Sequence, residues 1–137
     1  MFLAAACSST NLSDSVESVT LSEHTRGYRK VITVTQKQTQ VTINDKVYSR
    51  QTQPQQWKQL LESLRPIRLA DLPSIKTRTE RSAVDAAYIS QVTVLAAEKT
   101  YESNFFDHTT PPKELADVVK TINATAQGIV PEESTRN

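Results

Sequence analysis

Residues 16–49 read VESVTLSEHTRGYRKVITVTQKQTQVTINDKVYS, and this stretch decides the fold class. Val19 and Leu21 share a parity and alternate with Thr20 and Ser22, the period-two pattern of a half-buried strand. After His24-Thr25-Arg26-Gly27, the run Tyr28 to Thr35 is rich in β-branched residues, which suit a pleated surface. Gln36-Lys37-Gln38 forms a polar turn, and Thr39 to Ile43 alternates again with Val41 and Ile43 inward. Asn44-Asp45 reverses the chain once more, and Lys46 to Ser49 returns as a short strand. The pattern predicts a meander of antiparallel strands.

Downstream the period changes. Trp57, Leu60, Leu61 and Leu64 fall at i, i+3, i+4 and i+7, the apolar face of an amphipathic helix. Pro54 suits its first turn, and Pro66 ends it because the residue before a proline avoids helical geometry. Leu69 and Leu72 belong to a short turn covering the core, and residues 74–85 form a polar surface loop. Ala87 to Ala96 reads as a strand, Glu98-Lys99 as a turn, and Thr100 to Phe106 as a strand pairing back. Thr109-Thr110-Pro111-Pro112 caps and starts a last helix, whose inner stripe is Leu115, Val118, Val119, Ile122 and Ala126. The expectation is an α+β domain over residues 19–127: an antiparallel sheet of about five to six strands with two amphipathic helices packed on one face. Residues 128–137 read as a disordered tail.

Composition narrows the chemistry. The chain has 137 residues, one domain's worth, and sixteen basic against fifteen acidic side chains give a net charge of +1. That balance argues against a dedicated nucleic-acid binder, which carries a strongly basic face. Two glycines exclude the glycine-rich dinucleotide turn, the P-loop and the nucleophile elbow. One cysteine and two histidines exclude disulfide scaffolds, zinc fingers and multi-histidine metal sites. No cofactor motif is present.

The N-terminus carries a different message. Met1-Phe2-Leu3-Ala4-Ala5-Ala6 runs straight into the single Cys7, and a polar stretch, residues 8–18, follows at once. This resembles the end of a bacterial lipoprotein signal, in which small residues admit the signal peptidase and a thiol takes the diacylglycerol. Ala4 stands where that pattern prefers Leu, and the basic and most of the apolar part of a signal are absent, as in a chain that starts inside a longer signal. On this reading residues 1–7 are a truncated signal, Cys7 is the lipidated residue, and residues 8–18 are the linker. Asp14-Ser15-Val16 resembles the Asp-Ser/Thr-apolar sequon for O-glycosylation in Bacteroidetes, at Ser15, although a solvated linker has the same composition.

An ordered set of short motifs extends the resemblance. Thr25-Arg26-Gly27-Tyr28, the helix around Trp57, Leu69-Ala70-Asp71-Leu72-Pro73, Thr79-Glu80-Arg81, Asp85-Ala86-Ala87 and Phe106-Asp107-His108-Thr109-Thr110-Pro111-Pro112 occur in that order. Over roughly residues 19–125 the chain resembles a group of small, uncharacterised lipoproteins of Bacteroidetes, often Flavobacteriia. Ala86 departs from the glycine expected after the aspartate. The resemblance implies a location and a fold: a lipid-anchored α+β domain at the outer membrane, on its periplasmic face or at the cell surface. It implies no activity.

Candidate sites follow from side-chain chemistry. Asp107-His108 places a carboxylate beside an imidazole, an acid–base pair in principle, but Asp107 also suits a loop brace before a helix. His24 stands near a strand end beside Glu23. Arg65, Arg68, Lys76, Arg78 and Arg81 concentrate five cations over seventeen positions, as a contact surface for an acidic partner or as a solvated loop. Arg26 to Lys30 is a second basic spot that adds to such a surface if both share a face. Tyr28, Tyr48, Tyr88 and Tyr101 fall on strands, where they suit either ligand contact or packing, and Trp57 belongs to the core. The favoured reading is a non-enzymatic, membrane-anchored accessory subunit or binding module of an envelope complex, with a protein partner there. The alternatives are an inhibitor or chaperone-like protein that binds a secreted enzyme, and a minor hydrolase or metal-binding protein using Asp107 and His108.

Overall fold

The computed structural model describes residues 15–76, 89–107 and 109–130. Cys7, most of the linker, the segment holding Arg78, Arg81 and Tyr88, the imidazole of His108, and residues 131–137 lie outside them. The order of elements is β1 (Val16–Thr25), β2 (Tyr28–Thr35), β3 (Gln38–Ile43), β4 (Lys46–Gln51), α1 (Pro54–Leu64), a 3-10 turn (Leu69–Ser74), β5 (Ile89–Ala96), β6 (Lys99–Glu102), β7 (Phe106–Asp107), a second 3-10 turn (Lys113–Leu115) and α2 (Ala116–Ala126). The strands form one sheet in the order β4-β3-β2-β1-β5-β6, with β7 also on β5, and every pairing is antiparallel. The α+β expectation therefore holds: a meander, a helix that carries the chain back across the sheet, a second hairpin on the far side of β1, and a last helix.

Residue alternation sorts the strands into two faces. Val19, Leu21, Ile32, Val34, Val41, Val92 and Val94 are 0–1% exposed and point to the face carrying the helices. Trp57, Leu60 and Leu64 of α1, Leu69 and Leu72 of the 3-10 turn, and Leu115, Val118 and Ile122 complete that core. Each such side chain contributes about 1.5–3 kcal/mol of transfer free energy on burial. Pro54 opens α1 as its first residue, and the Gln53 N–H donates to Gln56 Oε1 at 2.9 Å, half of a reciprocal cap.

The boundaries differ from the sequence reading in three places. Residues 16–18 belong to β1, not to the linker, because Val16 pairs with Ala96 and is 9% exposed. A bulge between Val16 and Ser18 shifts the register, so that Val16 and Val19 both face inward despite opposite parity. At the other end, residues 128–130 are not a frayed tail. Gly128 takes φ +86° after α2, the left-handed conformation glycine adopts without strain, and Ile129 and Val130 turn back onto the core. Arg50 secures this end, donating from Nη2 to the carbonyls of Thr125 at 2.8 Å and Gln127 at 3.0 Å, where the helix carries its partial negative charge. Finally, Thr109 does not cap the last helix. Its N–H and hydroxyl both donate to Asp107 Oδ1, at 2.9 and 2.6 Å, and the chain enters the second 3-10 turn from Pro112.

Candidate functional site

The expected single strand from Thr100 to Phe106 is broken, and the break builds the most distinctive surface of the molecule. Thr93 pairs with Glu102 and Ser90 with Phe106, so three residues, Ser103 to Phe105, stand opposite two, Gln91 and Val92. Ser103 holds this bulge from both sides. Its N–H donates to the Val92 carbonyl at 2.9 Å, and its hydroxyl accepts the Val92 N–H at 3.0 Å while donating to the Asn104 carbonyl at 2.9 Å. The Asn104 amide donates to the carbonyls of Pro73 and Ile75, tying the bulge to the 3-10 turn. Bulges re-aim side chains, and this one separates two adjacent phenylalanines. Phe106 is fully buried under the helices, whereas Phe105 is 48% exposed.

Phe105 meets His24 edge to face, with ring centroids 6.1 Å apart and planes at 89°. Around them opens a groove of about 510 Å³, lined by Ser22, His24, Arg29, Asn44, Gln91 and Phe105 together with the β1–β2 turn. His24 pairs across the ladder with Arg29, and Ser22 with Gln91, so these side chains share the face opposite the helices. Asn44, at φ +53°, forms one wall; its Oδ1 accepts the Arg29 N–H at 3.0 Å, and its own N–H donates to the Arg29 carbonyl at 2.8 Å. The Gln91 amide is fixed by donation to the Ser103 carbonyl at 2.9 Å. Among the described residues no carboxylate pairs with the Arg29 guanidinium.

The groove continues into a sheet face six strands wide that no described element covers. Thr33, Thr20 and Thr93 stand side by side, flanked by Gln40 and Ser49 towards one edge and Glu102 towards the other. The Oγ1 atoms of Thr20 and Thr33 lie 3.3 Å apart, within hydrogen-bonding distance. Hydroxyls and amides thus pave this row, while the half-buried Val31, Ile89 and Leu95 stand in the rows beside it.

The residues singled out from sequence are dispersed. Arg65 lies 3.6 Å from Glu62 and Arg68 3.7 Å from Asp71, all well exposed, so each cation sits beside a carboxylate one turn away. Surface pairs of this kind contribute little to stability and dilute the local positive charge. They follow α1, on the covered side; of the second basic spot, Arg29 lies on the opposite face, whereas Lys30 has the parity of Ile32 and lines a pocket with Asn123 and Ala126 of the last helix. Lys76 is exposed at the end of the described segment, and Arg78 and Arg81 lie outside it. Ser15 is half-buried, with its carbonyl accepting the Ala97 N–H at 3.2 Å. Asp107 is 3% exposed and forms an Asx turn with Thr109, the loop-bracing geometry. Among the described tyrosines, Tyr48 pairs with Val41 and Tyr101 with Val94, on the helix side, and Tyr28 shares the parity of Ile32 while contributing to the rim of the groove at the β1–β2 turn. Trp57 is in the core at 7% exposure.

Sequence reasoning named His24 and the Arg26–Lys30 spot but missed Phe105, Gln91 and Asn44 as their neighbours. The adjacent aromatics Phe105-Phe106 were the available signal, since one strand cannot bury both on a single face. Among the described residues, no group of three or more His, Cys, Asp or Glu is arranged to hold a metal ion, and no helix is long and apolar enough to cross a membrane. No family model matches the chain, and neither does a curated protein or a solved structure.

Proposed function

We propose that this protein is a non-enzymatic binding module, held by lipid on Cys7 at a bacterial outer membrane, and that it serves an envelope assembly as an accessory subunit. One observation carries the binding part of this reading: among the described residues the sheet buries one face under helices and leaves the other, six strands wide, without a covering element and with a groove at one pole. The groove lies at the Thr25 end of β1, and the N-terminal segment joins at Val16, the other end. Ten residues of strand span about 30 Å at roughly 3.4 Å per residue. The segment that carries Cys7 thus enters the fold at the pole away from the groove, and on this reading the polar residues before β1 serve as a tether between lipid and fold. Tethering raises effective concentration, so a shallow site of modest affinity suffices.

An inhibitor or chaperone-like role would draw on a continuous apolar patch. Among the described residues the exposed large apolar side chains are Val47 and Phe105, which stand on opposite flanks of the uncovered face, so the geometry favours the module.

The anchor is tested by metabolic labelling with a radioactive fatty acid, followed by membrane fractionation of the protein expressed behind a complete lipoprotein signal. Wild type should carry label and sediment with membranes, and Cys7→Ala should lose the label and become soluble. An unlabelled wild type that partitions like the variant would refute the lipid anchor.

A further inference from the structure

We infer that the groove at Phe105 and His24 binds an acidic oligosaccharide, a chain of sugars bearing carboxylates, and that the hydroxyl- and amide-paved face extends its site. The inference rests on the reading of the protein as a binding module and names the ligand class of that module.

Three features of the site point to this class. First, the walls supply hydrogen-bonding groups of the kind sugars match: the Ser22 hydroxyl, the Gln91 and Asn44 amides, and beyond them Thr20, Thr33 and Thr93. A sugar ring presents hydroxyls on its periphery and C–H groups on its faces, so it needs many small donors and acceptors plus an aromatic plate. Second, Phe105 is that plate. The bulge puts its ring on the outside at 48% exposure, and His24 abuts it at right angles, which fixes the ring and leaves surface for a sugar face. Third, Arg29 brings a planar, permanently charged fork to the same groove with no carboxylate partner among the described residues, so it is free to take a carboxylate in two-point geometry.

A protein partner fits this surface less well. Protein interfaces centre on buried aromatic and aliphatic anchors within a dry core. Here Phe105 is the exposed aromatic, the half-buried Val31 and Ile89 beside it are interleaved with Ser22, Gln91 and Arg29, and Val47 lies on the far flank, so no dry apolar centre forms. A shallow, open groove that continues across the strands suits an extended polar chain better than a compact small molecule, which prefers an enclosed and mostly apolar pocket.

The test uses the full-length Cys7→Ala protein, soluble whether or not wild type is lipidated, so that binding is read independently of the anchor. Hexagalacturonate, a neutral galactose hexamer and hexaglutamate are titrated by isothermal calorimetry, with the contact surface mapped by amide chemical shifts. Hexagalacturonate should bind saturably, with shifts centred on residues 22–29, 44, 91 and 105, and the neutral hexamer should bind at least about tenfold more weakly. Phe105→Ala and Arg29→Gln should each weaken binding about tenfold or more while Lys58→Ala, exposed on α1 across the sheet from the groove, leaves it unchanged. Both groove positions are solvent-facing, and an unchanged thermal midpoint confirms that each variant is folded. No binding by hexagalacturonate, equal binding by hexaglutamate, or affinity indifferent to both groove substitutions would overturn the inference. None of these outcomes bears on fatty-acid labelling at Cys7, so failure of the ligand class and failure of the anchor remain separable.

Discussion

The two faces of the sheet are cut from the same strands and differ in almost every physical respect. In β1, Val19 and Leu21 are fully buried beneath the helices, while Ser18, Thr20 and Ser22 alternate with them on the open side. The covered face is held by apolar burial, which is additive, non-directional and large. The open face is held by little beyond the ladder itself; small polar side chains dominate its centre, with Val31, Ile89 and Leu95 half-buried among them. The same backbone thus carries one surface whose residues answer to stability and another whose residues are available for recognition.

The largest test of that contrast uses two neighbours in one strand. Leu21→Ala removes a fully buried side chain and should cost about 2–5 kcal/mol of unfolding free energy, read by urea denaturation. Thr20→Ala, one residue away on the open face, should change it by less than about 0.5 kcal/mol. Comparable losses from the two would break the division between faces.

The hairpin turns sharpen the comparison, because they are shared by both faces and set the register that keeps them apart. Gly27 has φ +74°, and a Cβ built there meets nothing within 4 Å, so the cost of Gly27→Ala is conformational alone and should be about 1–2 kcal/mol. At the β5–β6 turn the situation is reversed: Ala97 and Glu98 occupy φ +53° and +64° without the residues that tolerate such angles. Replacing them together, Ala97→Asn with Glu98→Gly, should raise stability by about 1 kcal/mol. A destabilised double variant would show that this turn is governed by something other than backbone strain.

Smaller effects are expected at the margins of the covered face. Arg50→Ala removes the two bonds to the last carbonyls of α2 and should cost about 1 kcal/mol, less in high salt. Ser90 points into the covered side with a buried hydroxyl that has no hydrogen-bond partner among the described residues. Ser90→Ala should therefore be neutral or stabilising by up to about 1 kcal/mol in thermal unfolding, whereas removal of a satisfied buried hydroxyl would be destabilising.

The covered face was legible in the sequence because its logic is periodic. The alternation of Val19 and Leu21 and the stripe Trp57-Leu60-Leu61-Leu64 repeat with a fixed spacing and were read with the right element and inward side, and the β-branched run of β2 was read as a strand. What escaped was aperiodic. The bulge after Val16 hides a buried residue behind linker-like composition, and the bulge at Ser103–Phe105 inverts the side on which Phe105 stands. A one-residue register shift leaves no mark in composition, yet it exchanges inside for outside. The groove was illegible for the same reason: its lining comes from β1, β2, β5, the β3–β4 turn and a bulge, brought together only by strand order. Arg50 escaped for want of distance information, since its partners at Thr125 and Gln127 lie at the far end of the chain.

The division of labour between the faces is tested most directly by hydroxyl-radical footprinting of the protein in native membranes and after purification in detergent. Phe105 should label strongly in the purified protein and be protected in the envelope, with Trp57, at 7% exposure under the helices, weakly labelled in both. Equal labelling of Phe105 in the two preparations, or protection confined to the helical side, would contradict the account.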